Sequence, residues 1–192
     1  MKRTESLILL DIARKAILEK LTGNSIIDKK ELIKQYPVLK ENRAVFVTLN
    51  KRRKNKAFPE LRGCIGSILP HRTLLDDLIH NAKAAAFDDP RFPPLDFDEF
   101  DEISIEVSIL SIPEKVYYRD IDELKRLIVP GKHGVILKKD WNRATFLPDV
   151  WKKLPEFEDF FAHLCKKAGL QENCLLFHPD IEIYTVEKIE EQ

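Results

Sequence analysis

Cysteine is scarce in this 192-residue chain: Cys64, Cys165 and Cys174 are odd in number and widely spread. That pattern argues against a disulfide framework and for a reducing, cytoplasmic location. No C-x-x-C occurs, and the five histidines show no i, i+4 pair, so no structural metal is expected. No cofactor is expected either. Net charge is missing as well. The 32 basic residues cancel the 32 acidic ones, which removes any whole-chain argument for a nucleic-acid or membrane partner. Long apolar runs are absent. Leu7-Ile8-Leu9-Leu10 stops at Asp11, too early for the core of a signal peptide, and nothing nears the ~18 apolar residues of a membrane span. Internal repeats and low-complexity segments are lacking too. The single methionine, with high and balanced Lys and Glu content, fits a thermophile.

What is present describes one globular domain. At this length folding buries roughly 70% of the unfolded surface, enough for a real core. Apolar residues at helical spacing (Leu7, Leu10, Ala13, Ile17, Leu21) predict an amphipathic helix ended by Gly23. A short helix or turn is expected over 29–36. Residues 44–49 and 60–69 read as two strands of an antiparallel hairpin, with the basic run 51–56 at its exposed tip. Thr73 opens a helix running to about Phe87, and a loop follows over 88–98. Strict alternation over 103–110 sets Ile103, Ile105, Val107 and Ile109 against Ser104, Glu106 and Ser108, the mark of a half-buried strand. A short helix over 122–127, strands over 133–138 and 143–147, a helix over 157–168 and a last strand over 181–186 complete the reading. Hairpin-joined strands with helices in blocks indicate an α+β fold with a mostly antiparallel sheet flanked by helices.

Two strings carry the chemistry: Leu61-Arg62-Gly63-Cys64-Ile65-Gly66 and Asp88-Asp89-Pro90-Arg91-Phe92-Pro93-Pro94-Leu95. A thiolate is a strong nucleophile when a cation or neighbouring amides lower its pKa. In an extended strand Arg62 and Cys64 share a face, which sets a guanidinium beside the sulfur. Gly63 and Gly66 leave backbone amides open to a substrate oxygen. The blander reading is a small thiol in a strand, with glycines that let another element pack closely. The prolines stiffen the second string. There Arg91 serves either as an anion clamp in a pocket wall or, with Asp89, as a pin holding the loop to the sheet. Phe92 is expected to be buried as the loop's anchor, with Asp89 or Arg91 reaching toward the Cys64 strand. His133, between Lys132 and Gly134, is the candidate base, although a turn histidine is the plainer account. Cys165 lies on the apolar face of its helix and reads as core, and Cys174 as structural. The run 51–56 offers phosphate contacts, but a solvated hairpin tip is the plainer reading.

The two strings closely resemble the AMMECR1 family. Lys132-His133-Gly134-Val135, Ala144-Thr145-Phe146-Leu147-Pro148 and the stretch from His163 to Leu170 extend the likeness over nearly the whole chain. The basic insertion over 51–58 departs from it. The resemblance implies one domain over 1–192 of two unequal lobes. The larger lobe comes from the N- and C-terminal regions and the smaller from a central segment. It implies a cytoplasmic protein associated, in prokaryotes, with Memo-type and radical-SAM proteins. It strengthens a site at Arg62, Cys64, Asp89, Arg91 and His133 without supplying a reaction. Three functions compete: an enzyme using Cys64 as nucleophile in acyl or group transfer on protein or RNA, a non-catalytic recognition module, and RNA binding through the 51–56 loop.

Overall fold

The computed structural model describes residues 3–51 and 59–191. The strands are β1 (Val45–Lys51), β2 (Glu60–Gly66), β3 (Ile103–Leu110), β4 (Glu114–Val116), β5 (Gly134–Lys139), β6 (Asn142–Phe146), β7 (Asp180–Tyr184) and β8 (Val186–Glu190). The helices are α1 (Arg3–Thr22), α2 (Lys29–Gln35), α3 (Leu74–Phe87), α4 (Phe97–Phe100), α5 (Ile121–Leu127) and α6 (Phe157–Lys167). They form an α+β protein in two units. One comprises Met1–Leu110 with Glu187–Gln192, the other Ser111–Val186.

The first unit holds a four-stranded sheet in the order β2-β1-β3-β8. The expected hairpin is present: β1 and β2 pair antiparallel, with Thr48 opposite Cys64. Its tip, including the basic run from Arg52 to Lys56, lies outside the described residues. Val45, Val47 and Leu49 of β1 turn to one face of the sheet. Ile103, Ile105, Val107 and Ile109 of β3 join them in a core shared with α1 and α3. Each side chain of this size buried contributes about 1.5–3 kcal/mol, so strict alternation on β3 sets the sheet's inner face firmly. Thr73 caps α3 by accepting from the Asp76 amide. Just inside that helix Asp77 is 1% exposed, and it accepts from the Val45 amide, Ser67, Arg72 and Asn81. A buried carboxylate this fully satisfied ties the helix start to β1.

The second unit holds a sheet in the order β4-β7-β5-β6. Its core is aromatic where the first is aliphatic: Trp151, Phe157, Phe160 and Phe161 pack with Leu164 and Val135. Tyr184 is buried opposite Gly134, where a Cβ would lie 2.4 Å from its ring, and its hydroxyl donates to the Phe146 carbonyl. Burial pushes the Tyr184 hydroxyl up to about 12.

Three expectations change. The single strand over 181–186 is two strands, β7 and β8, in different sheets, broken at Thr185. The loop over 88–98 runs into α4, whose start Asp96 caps by accepting from the Glu99 amide. The cysteines are not all unpaired: Cys165 and Cys174 form a disulfide with Cα atoms 5.9 Å apart. The physical reason is the turn after α6. Gly169 takes φ +77, reverses the chain, and a short 3-10 segment returns Cys174 to the helix. Intracellular proteins of hyperthermophiles also carry disulfides, so this bond does not assign a compartment.

Candidate functional site

Cys64 is the one free cysteine, and it is half-buried on β2, the edge strand of the first sheet. Val47 and Leu49 mark the core face of β1, so Thr48 and its partner Cys64 lie on the opposite face. The Cys64 amide points away from β1, which makes Thr48 and Cys64 a pair without mutual backbone bonds, the closer kind of cross-strand pair. The Thr48 hydroxyl accordingly donates to the Cys64 sulfur at 3.3 Å. Glu106 follows on the same row, opposite Thr48 on β3.

The free edge of β2 is closed by two side chains. Asp89 Oδ2 accepts from the Cys64 amide at 2.9 Å, and Arg91 Nη2 donates to the Cys64 carbonyl at 3.3 Å. Together they imitate a neighbouring strand and block further pairing there. Asp89 is 3% exposed and also accepts from Arg91 Nε at 2.9 Å, Arg91 Nη2 at 2.7 Å and the Arg91 amide at 3.1 Å. The Arg91 guanidinium holds its carboxyl well below the usual carboxylate range. Both charges thus reach the Cys64 strand, and the pinning function of this loop is directly visible. Phe92 is half-buried rather than buried as expected, with the guanidinium carbons of Arg62 and Arg91 over its ring at 5.7 and 5.5 Å.

Arg62 is turned to another task than attending the sulfur. A bulge in the β1–β2 register falls between Leu49 and Asn50, opposite residues 61–63. Arg62 is 6% exposed, and its Nε and Nη2 both donate to Glu99 while Nη2 also donates to the Pro93 carbonyl at 2.9 Å. This bond lowers the Glu99 carboxyl below its ordinary value, against the opposing effect of burial. Lys51, the one described member of the basic run, is committed to Glu99 at 3.2 Å and Glu102 at 2.8 Å.

The glycines of the motif are accounted for by packing. A Cβ on Gly63 would meet the Ala85 carbonyl of α3 at 2.1 Å, and one on Gly66 would meet the Phe46 ring at 2.2 Å. The Cys64 amide is spent on Asp89, so it does not serve as an open oxyanion donor. His133 belongs to the second unit, where its Nδ1 accepts from the Val129 amide at 3.1 Å and its carbonyl accepts from Trp151. In a neutral ring that bond assigns the proton to Nε2, a donor rather than a base. Burial, then the nearby Lys132, lowers the His133 pKa and keeps the ring neutral.

Sequence reasoning passed over Glu99 and Thr48. Asp96 followed three residues later by Glu99 is a helix-start signal that marks α4. Thr48 follows from placing the hairpin register, since it stands opposite Cys64. Among the described residues no group of three or more His, Cys, Asp or Glu side chains is arranged to hold a metal ion, and no helix is long and apolar enough to cross a membrane.

The AMMECR1 family model matches residues 10–189. A protein of Methanothermobacter thermautotrophicus is 37% identical over 185 residues, covering 96% of this chain and 92% of its own length. One of Thermococcus gammatolerans is 40% identical over 193 residues, covering 96% and 89%. The solved structure of the uncharacterized protein PH0010 from Pyrococcus horikoshii shares 36% identity and a TM-score of 0.83, covering 100% of this chain and 94% of that one. Family model, relatives and fold agree over nearly the full length: the chain belongs to the AMMECR1 family.

Proposed function

We propose that Cys64 is the working group of a thiol-dependent acyl- or group-transfer site in the first unit. The observation that carries this reading is the free sulfur itself. Cys64 is half-buried and its sulfur receives the Thr48 hydroxyl at 3.3 Å, while Asp89 and Arg91 clamp its backbone. A rigid strand and a hydroxyl donor are what a nucleophilic sulfur needs to hold its aim and spread its charge. The sulfur attacks an electrophilic carbon. A sulfur–carbon bond forms, and the bond to the leaving group breaks with its electron pair. The thiol proton ends on that leaving group. Attack by water or an acceptor nucleophile on the thioester then returns the thiol. The pathway implied by family likeness, with Memo-type and radical-SAM proteins as partners, is the proposed setting.

The second reading is a recognition module in which the same surface binds a ligand without reaction. The Asp89 bond to the Cys64 amide favours it, because that amide is the nearest oxyanion donor and is occupied. Trapping decides between them. Thiol-reactive ester and amide probes incubated with the native protein, followed by peptide mass spectrometry, detect an acyl group on Cys64 that hydroxylamine removes. Reactivity at Cys64 only after denaturation sinks the transfer reading and leaves recognition.

A further inference from the structure

The second unit buries most of its rings but leaves two beside one opening in its surface. Trp141 is 101% exposed and Phe177 is 58% exposed. Between the β5–β6 turn and the chain that follows α6 lies a cavity of about 310 Å³, lined by Lys139, Asp140, Leu170, Gln171, Cys174 and Phe177. Lys139 pairs with Asn142, so Asp140 and Trp141 form a two-residue turn. Glycine is the usual choice in such a turn, yet here Asp140 takes φ +53 and the bulkiest side chain follows it. No contact within the chain accounts for that indole. Packing on Leu170 or Phe177 would cost it exposure, and it has lost none. An apolar knob thus stands beside a partly apolar hole that it does not fill. The charges around it are uncommitted and of both signs. Asp140 and Arg143 are exposed and make no ion pair among the described residues, and the Lys139 ammonium donates to the Phe177 carbonyl at 2.8 Å rather than to a carboxylate.

We propose that this face joins two copies of the chain, the Trp141 ring of each entering the cavity of the other. A knob and a hole side by side on one surface fit each other when a twofold axis sets two copies face to face. Asp140 of one copy then meets Lys139 of the other, so both signs of charge are answered. A partner of one sign would leave the other unanswered, and an RNA strand stacked on Trp141 would lie against the Asp140 carboxylate. Covering two tryptophans and two phenylalanines removes at most about 1,000 Å² in all, the low end for a specific interface. The dimer is therefore reversible and forms in the micromolar range rather than being obligate.

Sedimentation velocity of the full chain from about 1 to 500 µM reads this association. The unsubstituted protein is expected to pass from monomer to dimer across that range. Its tryptophan emission should move to shorter wavelength as Trp141 leaves water, while Trp151, already buried, stays unchanged. Trp141→Ala is expected to weaken dimerisation at least about tenfold with the circular dichroism of the fold unaltered, because the ring supports nothing in its own chain. Asp140→Asn keeps a residue suited to positive φ and removes the charge, and it should weaken dimerisation about threefold. A monomer at every concentration overturns the proposal, as does a dimer that Trp141→Ala leaves intact. A decauridine strand that quenches Trp141 emission while the protein stays monomeric overturns it too, and assigns the tip to RNA.

Discussion

The two units solve the same problem with different materials. The first packs aliphatic side chains between α1, α3 and its sheet, and closes the β2 edge with Asp89 and Arg91. The second packs aromatic rings and fastens α6 to the following turn with a disulfide. The first therefore keeps its sulfur free and its charges arranged around it. The second spends its sulfurs on the fold. The free thiol and the stapled pair are separated along the chain, and the same element can serve opposite ends depending on what the tertiary structure sets beside it.

The largest expected difference is in thiol access. In native protein without reductant, Cys64 should be alkylated at least about a hundredfold faster than Cys165 or Cys174, because disulfide sulfurs offer no thiolate. Mass spectrometry of the labelled peptides reads this directly. Equal labelling of all three would erase the contrast between the units.

Next come the two fasteners. Asp89→Ala removes a buried carboxylate with four hydrogen bonds and leaves the Cys64 amide without an acceptor, which should cost about 3 kcal/mol in denaturant unfolding. Replacing Cys165 and Cys174 together by Ala frees a short loop and should cost about 2–3 kcal/mol by the loop-entropy relation. Tryptophan fluorescence follows the second effect selectively, since Trp141 and Trp151 both lie in the second unit. A disulfide loss larger than the Asp89 loss would reverse the ranking.

The motif glycines sharpen the comparison within the first unit. Gly63→Ala drives a methyl into helix backbone and should cost about 2–3 kcal/mol, whereas at Gly66 the Phe46 side chain yields for about 1 kcal/mol. Equal costs measured by urea titration would contradict the packing account and return weight to an open-amide role.

The smallest effect is pH dependence, and the units differ in its window. The folded Asp89 pKa is depressed, so its stabilising contribution is complete above the unfolded value near 3.9 and is lost as pH falls through the lower folded value. The folded His133 pKa is also depressed. Below about 6.5 the unfolded chain takes up that proton while the folded ring resists, so stability declines as pH falls from there toward the folded pKa. In unfolding curves between about pH 1 and pH 8, His133→Gln should lose the upper step and keep the lower one. The same variant should leave the Cys64 alkylation profile unmoved, since Nδ1 is engaged by Val129. A slowed profile would restore His133 as the base.

Local pattern made much of this molecule readable. Alternation on β3, the β1–β2 hairpin and the Thr73 cap depend on neighbours a few residues apart, and such periodicities are written in the chain itself. The AMMECR1 strings likewise announced where to look. Partner choice was not readable, because it joins distant residues. Arg62 turns to Glu99, 37 positions away, and Asp89 takes the Cys64 amide across 25. The expectation that Arg62 would attend the sulfur followed from ideal strand geometry, and a bulge in the register overrode it. The Cys165–Cys174 bond hid for a similar reason, since a glycine turn rather than the spacing brings the sulfurs together. Sequence by itself determined most of the elements, the buried face of β3 and the family. Only the tertiary structure decided which side chains meet, because those bonds close long loops whose entropy is overcome only when both cores form together.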